Sequence, residues 1–153
     1  MKPSVSLSAL CLLLTAVTAE ASDEVRKIEV FKTQTCACCV AWIARLEKAG
    51  FSVEAQDMQA ADLIIMKQEL GMPADLVSCH TGLVDGYVIE GHVPPEDIRR
   101  LLVSGERAIG LAVAGMPIGS PGMEYGSRRD AFDVELVRED GSTAVFASYD
   151  ERR

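Results

Sequence analysis

Positive charge is scarce in this sequence. Its 153 residues carry 15 Lys and Arg against 23 Asp and Glu, a formal net charge of −8. A nucleic-acid-binding face needs clustered cations to displace counterions from phosphates, so this balance argues against such a partner. No apolar run reaches the ~20 residues that a bilayer-spanning helix needs. Internal repeats and low-complexity runs are absent as well. Charged residues make up 25% and apolar residues 48%, which excludes both a disordered chain and a multi-span membrane protein. The length then fits one domain with a modest core.

The first residues read as a targeting segment and not as part of the fold. Met1-Lys2 gives a short basic start, and Val5 to Val17 is apolar apart from Ser6, Ser8 and Thr15. Ala19-Glu20-Ala21 is a small-x-small cleavage site, which makes residues 1–21 a signal peptide and Ser22 the new N-terminus. Cleavage removes Lys2 and Glu20 together, so the charge stays at −8. It also removes Cys11, and residues 22–153 enter an oxidising compartment with Cys36, Cys38, Cys39 and Cys79. No membrane span is expected after cleavage.

Periodicity in the remainder alternates between strand and helix. Lys27–Lys32 suits a strand. Thr35 is the expected cap of a helix over about 36–49, with Cys39, Trp42, Ile43 and Leu46 on one face and Gly50 as its stop. A second strand over 51–55 precedes a helix over about 59–70, with Leu63, Ile64 and Leu70 inward. Asp85-Gly86 between two apolar runs signals a hairpin. Pro94-Pro95 opens a third helix carrying Ile98, Leu101 and Leu102, closed by Gly105. Residues 108–126, rich in glycine, are expected to form a long ordered loop. Phe132–Val137 and Thr143–Tyr149 form a final hairpin. The expected order is β-α-β-α-β-β-α, then a loop and a hairpin.

The chemistry is concentrated in sulfur. Cys36-Ala37-Cys38-Cys39 places three thiols within four residues at a helix start, where the partial positive charge favours thiolate. Thiolates suit soft metal ions, Cu(I) above all. The same placement activates a Cys36/Cys39 redox pair, so a thiol-disulfide oxidoreductase is the alternative. A disulfide-stapled module without metal is a third reading. Adjacent cysteines bridge each other only in a strained geometry, which argues against Cys38–Cys39 as a staple. Cys79 could complete a ligand set or bridge one of the first three. His80 is either a ligand or a surface residue, and His92 is either a ligand or structural. Met116 and Met123, in the loop from Gly115 to Met123, could offer thioethers or fill core gaps. Trp42, the only tryptophan, either roofs the site or fills the core.

The run TCACC followed by Trp42, with SCHTGLVDGYVIEGHVPPEDIRRLL and GLAVAGMPIGSPGME, resembles the CopG-type proteins of bacterial copper resistance. The resemblance extends over about Ile28 to Tyr149. It implies a thioredoxin-like α/β fold with an added C-terminal hairpin, a periplasmic location and bound copper in a cysteine-bridged multinuclear cluster. It also implies Cu(I)/Cu(II) redox activity, with a copper oxidoreductase left open, and contact with other periplasmic copper-handling proteins. The implied ligands come from Cys36, Cys38, Cys39 and Cys79, with His80 or His92 nearby. Thioredoxins place a proline just before the third strand, opposite the CxxC pair. Here Val77–Thr81 has none, which removes the usual substrate-docking element and turns Cys79 and His80 toward the first cysteines.

Overall fold

A computed structural model describes residues 25–151. The proposed signal peptide, its cleavage site and Cys11 lie outside the described residues. The chain runs β1 (Lys27–Lys32), α1 (Ala37–Lys48), β2 (Ser52–Asp57), α2 (Ala60–Glu69), β3 (His80–Val84), β4 (Tyr87–Glu90), α3 (Pro95–Ser104), β5 (Gly110–Ala112), β6 (Phe132–Val137) and β7 (Thr143–Tyr149). The mixed α/β class and the order of the first seven elements are those expected from the sequence.

All the strands join one sheet in the order β2-β1-β3-β4-β5-β6-β7. Pairings β1–β2 and β4–β5 are parallel, and the others are antiparallel. Strand alternation gives the sheet two apolar faces. Ile28, Val30, Ile89, Leu111, Val134 and Leu136 meet Trp42 and Leu46 of α1 and Ile98 and Leu101 of α3. Val88, Ala112 and Val137 point the other way and pack with Met72 and Leu76 beyond α2. In β3, Gly82 and Val84 belong to the first face, with Gly82 against Trp42 and Ile28, while Leu83 packs on the second. By the same alternation His80 turns to the α1 face and Thr81 to the α2 face.

Four local expectations are corrected. The N-cap of α1 is Cys36 and not Thr35; its Sγ accepts from the Cys39 N–H at 3.3 Å, because the Cys36–Cys39 disulfide draws that sulfur over the first turn. Ile64 is exposed, because the inward stripe of α2 is Leu63 and Lys67. His80 opens β3 and does not lie in the preceding loop. Residues 108–126 contain β5, which the glycines concealed. Position 110 of that strand takes glycine because a Cβ there would lie 1.7 Å from the Val88 carbonyl oxygen.

Candidate metal centre

Three segments bring the sulfur and imidazole groups together: the start of α1, the entry to β3 and the exit from β4. Cys36 caps α1, and Cys38 and Cys39 occupy its first turn. Because β1 leads into α1 and pairs with β3 in register Lys32↔His80, the residue before His80 lies beside that first turn. Cys79 is therefore the sulfur that crosses to the helix. Its Sγ is 3.6 Å from Cys38 Sγ, and Cys38 Sγ is 3.5 Å from Cys36 Sγ. Cys36 and Cys39 form a disulfide, and Cys38 and Cys79 are free. All four sulfurs lie within 4.8 Å of one another.

Cys79 also belongs to a second group. His80 Nδ1 and His92 Nε2 each stand 3.4 Å from its Sγ, and these three donor atoms again lie within 4.8 Å of one another. The two rings meet edge to face at 4.9 Å, and Trp42 stacks on His80 at 4.3 Å. Trp42 thus does both things proposed for it: it fills the core and roofs the site. Its indole N–H donates to the Val93 carbonyl at 2.9 Å, which pins β4's exit against α1.

Burial sets the protonation of this group. Both histidines are fully buried, which rules out the surface reading of His80. Loss of solvent pushes the His80 pKa well below the usual range, reinforced by His92 and Lys67 nearby. Burial also lowers His92, against the opposing pull of the Pro121 carbonyl and Glu124. Both rings are thus held neutral, the state in which imidazole binds metal. The ring Nδ1 of His92 lies 2.8 Å from the Pro121 carbonyl oxygen. A carbonyl only accepts, so Nδ1 carries the hydrogen and Nε2 turns its lone pair toward Cys79. His80 Nε2, the ring nitrogen other than the one that faces Cys79, is a buried side-chain nitrogen without a partner among the described residues. The Cys79 thiol is pushed up to about 11, first by burial and then by Cys38, so metal must displace its proton.

The loop that bears Met116 and Met123 borders this cluster. Gly122 packs so closely on α1 that a Cβ would lie 2.6 Å from Trp42 N and 2.9 Å from the Cys38 carbonyl oxygen. Glu124 ties the loop down, accepting from Arg45 Nε and from the Gly122 N–H, both at 2.8 Å. Ser78 Oγ donates to the Gly115 carbonyl at 2.5 Å. Met116, on that loop, is half in solvent, and Met123 lies in the turn closed by its N–H to the Ser120 carbonyl. The loop's visible contribution to the cluster is the Pro121 carbonyl.

Sequence reasoning missed a buried polar network on the opposite face of β3. Lys67 and Glu90 are almost fully enclosed and ion-paired at 2.6 Å, with Thr81 bonded to both at 2.7 Å. One signal was available: Lys67 shares a helical face with Leu63 and Leu70, four and three residues away.

Fold and site together define a small α/β protein that gathers soft sulfur and imidazole donors at the edge of its core. A family profile described as "Protein of unknown function, DUF411" matches residues 76–123, which hold Cys79, both histidines and the bordering loop. Two solved structures are similar over most of the chain. "Copper resistance protein copG- Form 2" is 44% identical, covers 82% of this chain and 99% of its own, and has a TM-score of 0.77. "Copper resistance protein copG- Form 1" is 42% identical, with 83% and 99% covered and a TM-score of 0.78. Comparison with curated proteins gives no match. The chain belongs to the CopG copper resistance protein family.

Proposed function

We propose that this protein binds copper ions, as cargo or redox substrate, in copper homeostasis outside the cytoplasm. The observation that carries the reading is the convergence of four sulfurs, one of them that of Cys79, which also faces two buried neutral imidazoles. Sulfur from two segments, with a single cysteine touching both groups, suits bridging between neighbouring soft ions. A hard ion such as Mg²⁺ prefers oxygen ligands and its own waters. Zinc is the serious competitor for four thiolates. Copper is favoured because vicinal Cys38 and Cys39 are poorly placed to share one tetrahedral ion but can serve adjacent Cu(I) ions, giving more than one copper per chain. Bridged copper that changes between Cu(I) and Cu(II) supports a redox role, and other periplasmic copper-handling proteins are the partners this implies. The signal-like first 21 residues support export. Among the described residues no helix is long and apolar enough to cross a membrane.

The Cys36–Cys39 disulfide supports the second reading, a periplasmic thiol-disulfide oxidoreductase. It also means that four-sulfur binding requires reduction: two electrons and two protons open the S–S bond to two thiols. One experiment separates the readings. Protein recovered from the periplasm has an intact mass beginning at Ser22; reduced and metal-free, it is offered equal Cu(I) and Zn²⁺. Copper at more than one per chain is expected. Replacing Cys36, Cys38 or Cys39 with Ser lowers that number, and Cys79→Ser loses copper fastest to a Cu(I) chelator. One retained zinc with copper excluded overturns the copper reading. No metal, with turnover that requires Cys36 and Cys39, leaves the oxidoreductase.

A further inference from the structure

Glu90 and Lys67 lie on the face of the sheet away from Trp42 and His80, and nothing in copper binding itself requires a charge there. The carboxylate of Glu90 is fully buried and fully used. Its Oε1 accepts from Lys67 Nζ at 2.6 Å and from the Ser78 N–H at 2.7 Å, and its Oε2 accepts from the Thr81 hydroxyl at 2.7 Å. Lys67 Nζ also donates to Thr81 Oγ1 at 2.7 Å. Desolvating two charges is costly, and a well-packed apolar pair in such a place is often as stable or more so. Stability alone is therefore a weak reason for this pair. What it does locally is specific. Thr81 and Glu90 are register partners across the β3–β4 hairpin, so their bond belongs to a fixed strand pair. Ser78 precedes that ladder, and its amide takes a side-chain carboxylate as acceptor. The two anchored residues, Ser78 and Thr81, stand on either side of Cys79 and His80.

We infer that Glu90, neutralised by Lys67, is a positioning residue that holds Cys79 and His80 at the centre by fixing the backbone on both sides of them. The carboxylate acts from behind the strand. It touches neither sulfur nor imidazole, and it reaches the site through Ser78 and Thr81. Glu90 also stands two residues before His92, so one carboxylate ties the segment bearing Cys79 and His80 to the segment bearing His92. The role in metal retention rests on the copper reading above; the role in placing Cys79 does not.

The test uses two double variants of the full protein that remove both charges together, so that neither leaves a lone buried ion. Lys67→Met with Glu90→Gln keeps an amide oxygen for the Ser78 N–H. Lys67→Met with Glu90→Leu keeps none. With Cys36–Cys39 oxidised, the remaining thiols are Cys38 and Cys79, whose sulfurs are 3.6 Å apart. Diamide oxidises that pair to a disulfide and is itself reduced to the hydrazine, and the rate of this coupling reports how well Cys79 is placed without any metal. The Gln variant is expected to couple within twofold of the parent, and the Leu variant at least tenfold more slowly. On reduced protein, Cu(I) loss to a chelator should follow the same order, with a changed sulfur-to-copper absorption in the Leu variant. Equal coupling rates in the parent and both variants overturn the inference, whatever the copper result. The expected coupling pattern in a protein that takes up no Cu(I) leaves the positioning role standing and removes the copper reading alone. If the Leu variant does not fold, Thr81→Val carries the test: a threefold slower coupling is expected, and an unchanged rate overturns the inference.

Discussion

Cys79 has more neighbours of consequence than any other side chain at the centre, and its proton is hard to remove. Burial is the first cause and Cys38 the second, and together they push its pKa to about 11. A thiol in that state is a poor nucleophile at neutral pH, which tells against Cys79 as an attacking group and for Cys79 as a ligand that deprotonates only on metal binding. Binding must then release its proton at every pH below about 11. Each proton displaced weakens Cu(I) affinity about tenfold for each unit the pH falls. Chelator competition at pH 6, 7 and 8 should show this slope, and Cys79→Ser should reduce it by one proton. An identical slope in the parent and Cys79→Ser would mean that Cys79 Sγ is not a ligand. His92 shows the complementary arrangement. The Pro121 carbonyl takes its Nδ1 hydrogen in advance and leaves Nε2 ready, so that ring has no proton to lose.

The elements differ in how much of themselves the sequence disclosed. Both C-terminal strands and the Asp85-Gly86 hairpin were legible, because turn chemistry and two-residue alternation are local signals. The start of α1 was legible to within a residue, and with it the clustering of Cys36, Cys38 and Cys39. The partnership of Cys79 with them was not a matter of spacing, since the pairing of β1 with β3 creates it. Nor could β5 be read: three residues opening with glycine carry no periodicity, and the strand exists because its neighbours accept it. The Lys67–Glu90 pair was hidden for the same reason, each charge making sense only beside the other. The bordering loop, read from the sequence as offering thioethers or filling gaps, brings a carbonyl and close packing to the centre. Gly122 marks that closeness, since any side chain there meets α1 backbone and its φ of +86° is strained for other residues. Gly122→Ala should lift the loop, costing about 1–3 kcal/mol in urea unfolding. It should also free His92 Nδ1, speeding copper loss to a chelator. Unchanged stability and unchanged copper retention would show that the loop is not seated on α1 in solution.

At the scale of the whole molecule, the centre and the fold share the same buried volume. His80 lies under Trp42, and Trp42 belongs to the cluster that joins α1, α3 and the strands between them. A proton on His80 would place a charge inside that cluster with Lys67 on the far side of the strand, so the cost of protonation falls on the entire fold. The sign follows from linkage. Burial lowers the pKa of both His80 and His92 in the folded chain, whereas in the unfolded chain they titrate near the usual ~6.5. Above that value neither state binds the protons, and stability is complete. As pH falls below it, the unfolded chain takes up protons that the folded chain refuses, and stability declines toward the lowered folded values. The slope per histidine is at most about 1.4 kcal/mol per pH unit; His80, held well below the usual range, should contribute the larger share. Urea midpoints of reduced, metal-free protein at pH 8, 7, 6 and 5 should be level over the first two and fall over the last two. His80→Gln removes the larger contribution while keeping a polar side chain, so its midpoint should be lower at pH 8 but fall less steeply below pH 7. Copper should steepen the parent's decline, because a ligand that binds only the folded, deprotonated centre adds stability in proportion to its affinity and loses that affinity as protons compete. A flat midpoint from pH 8 to 5 in the metal-free parent, or an equal slope in His80→Gln, would show that His80 is not held neutral inside the core.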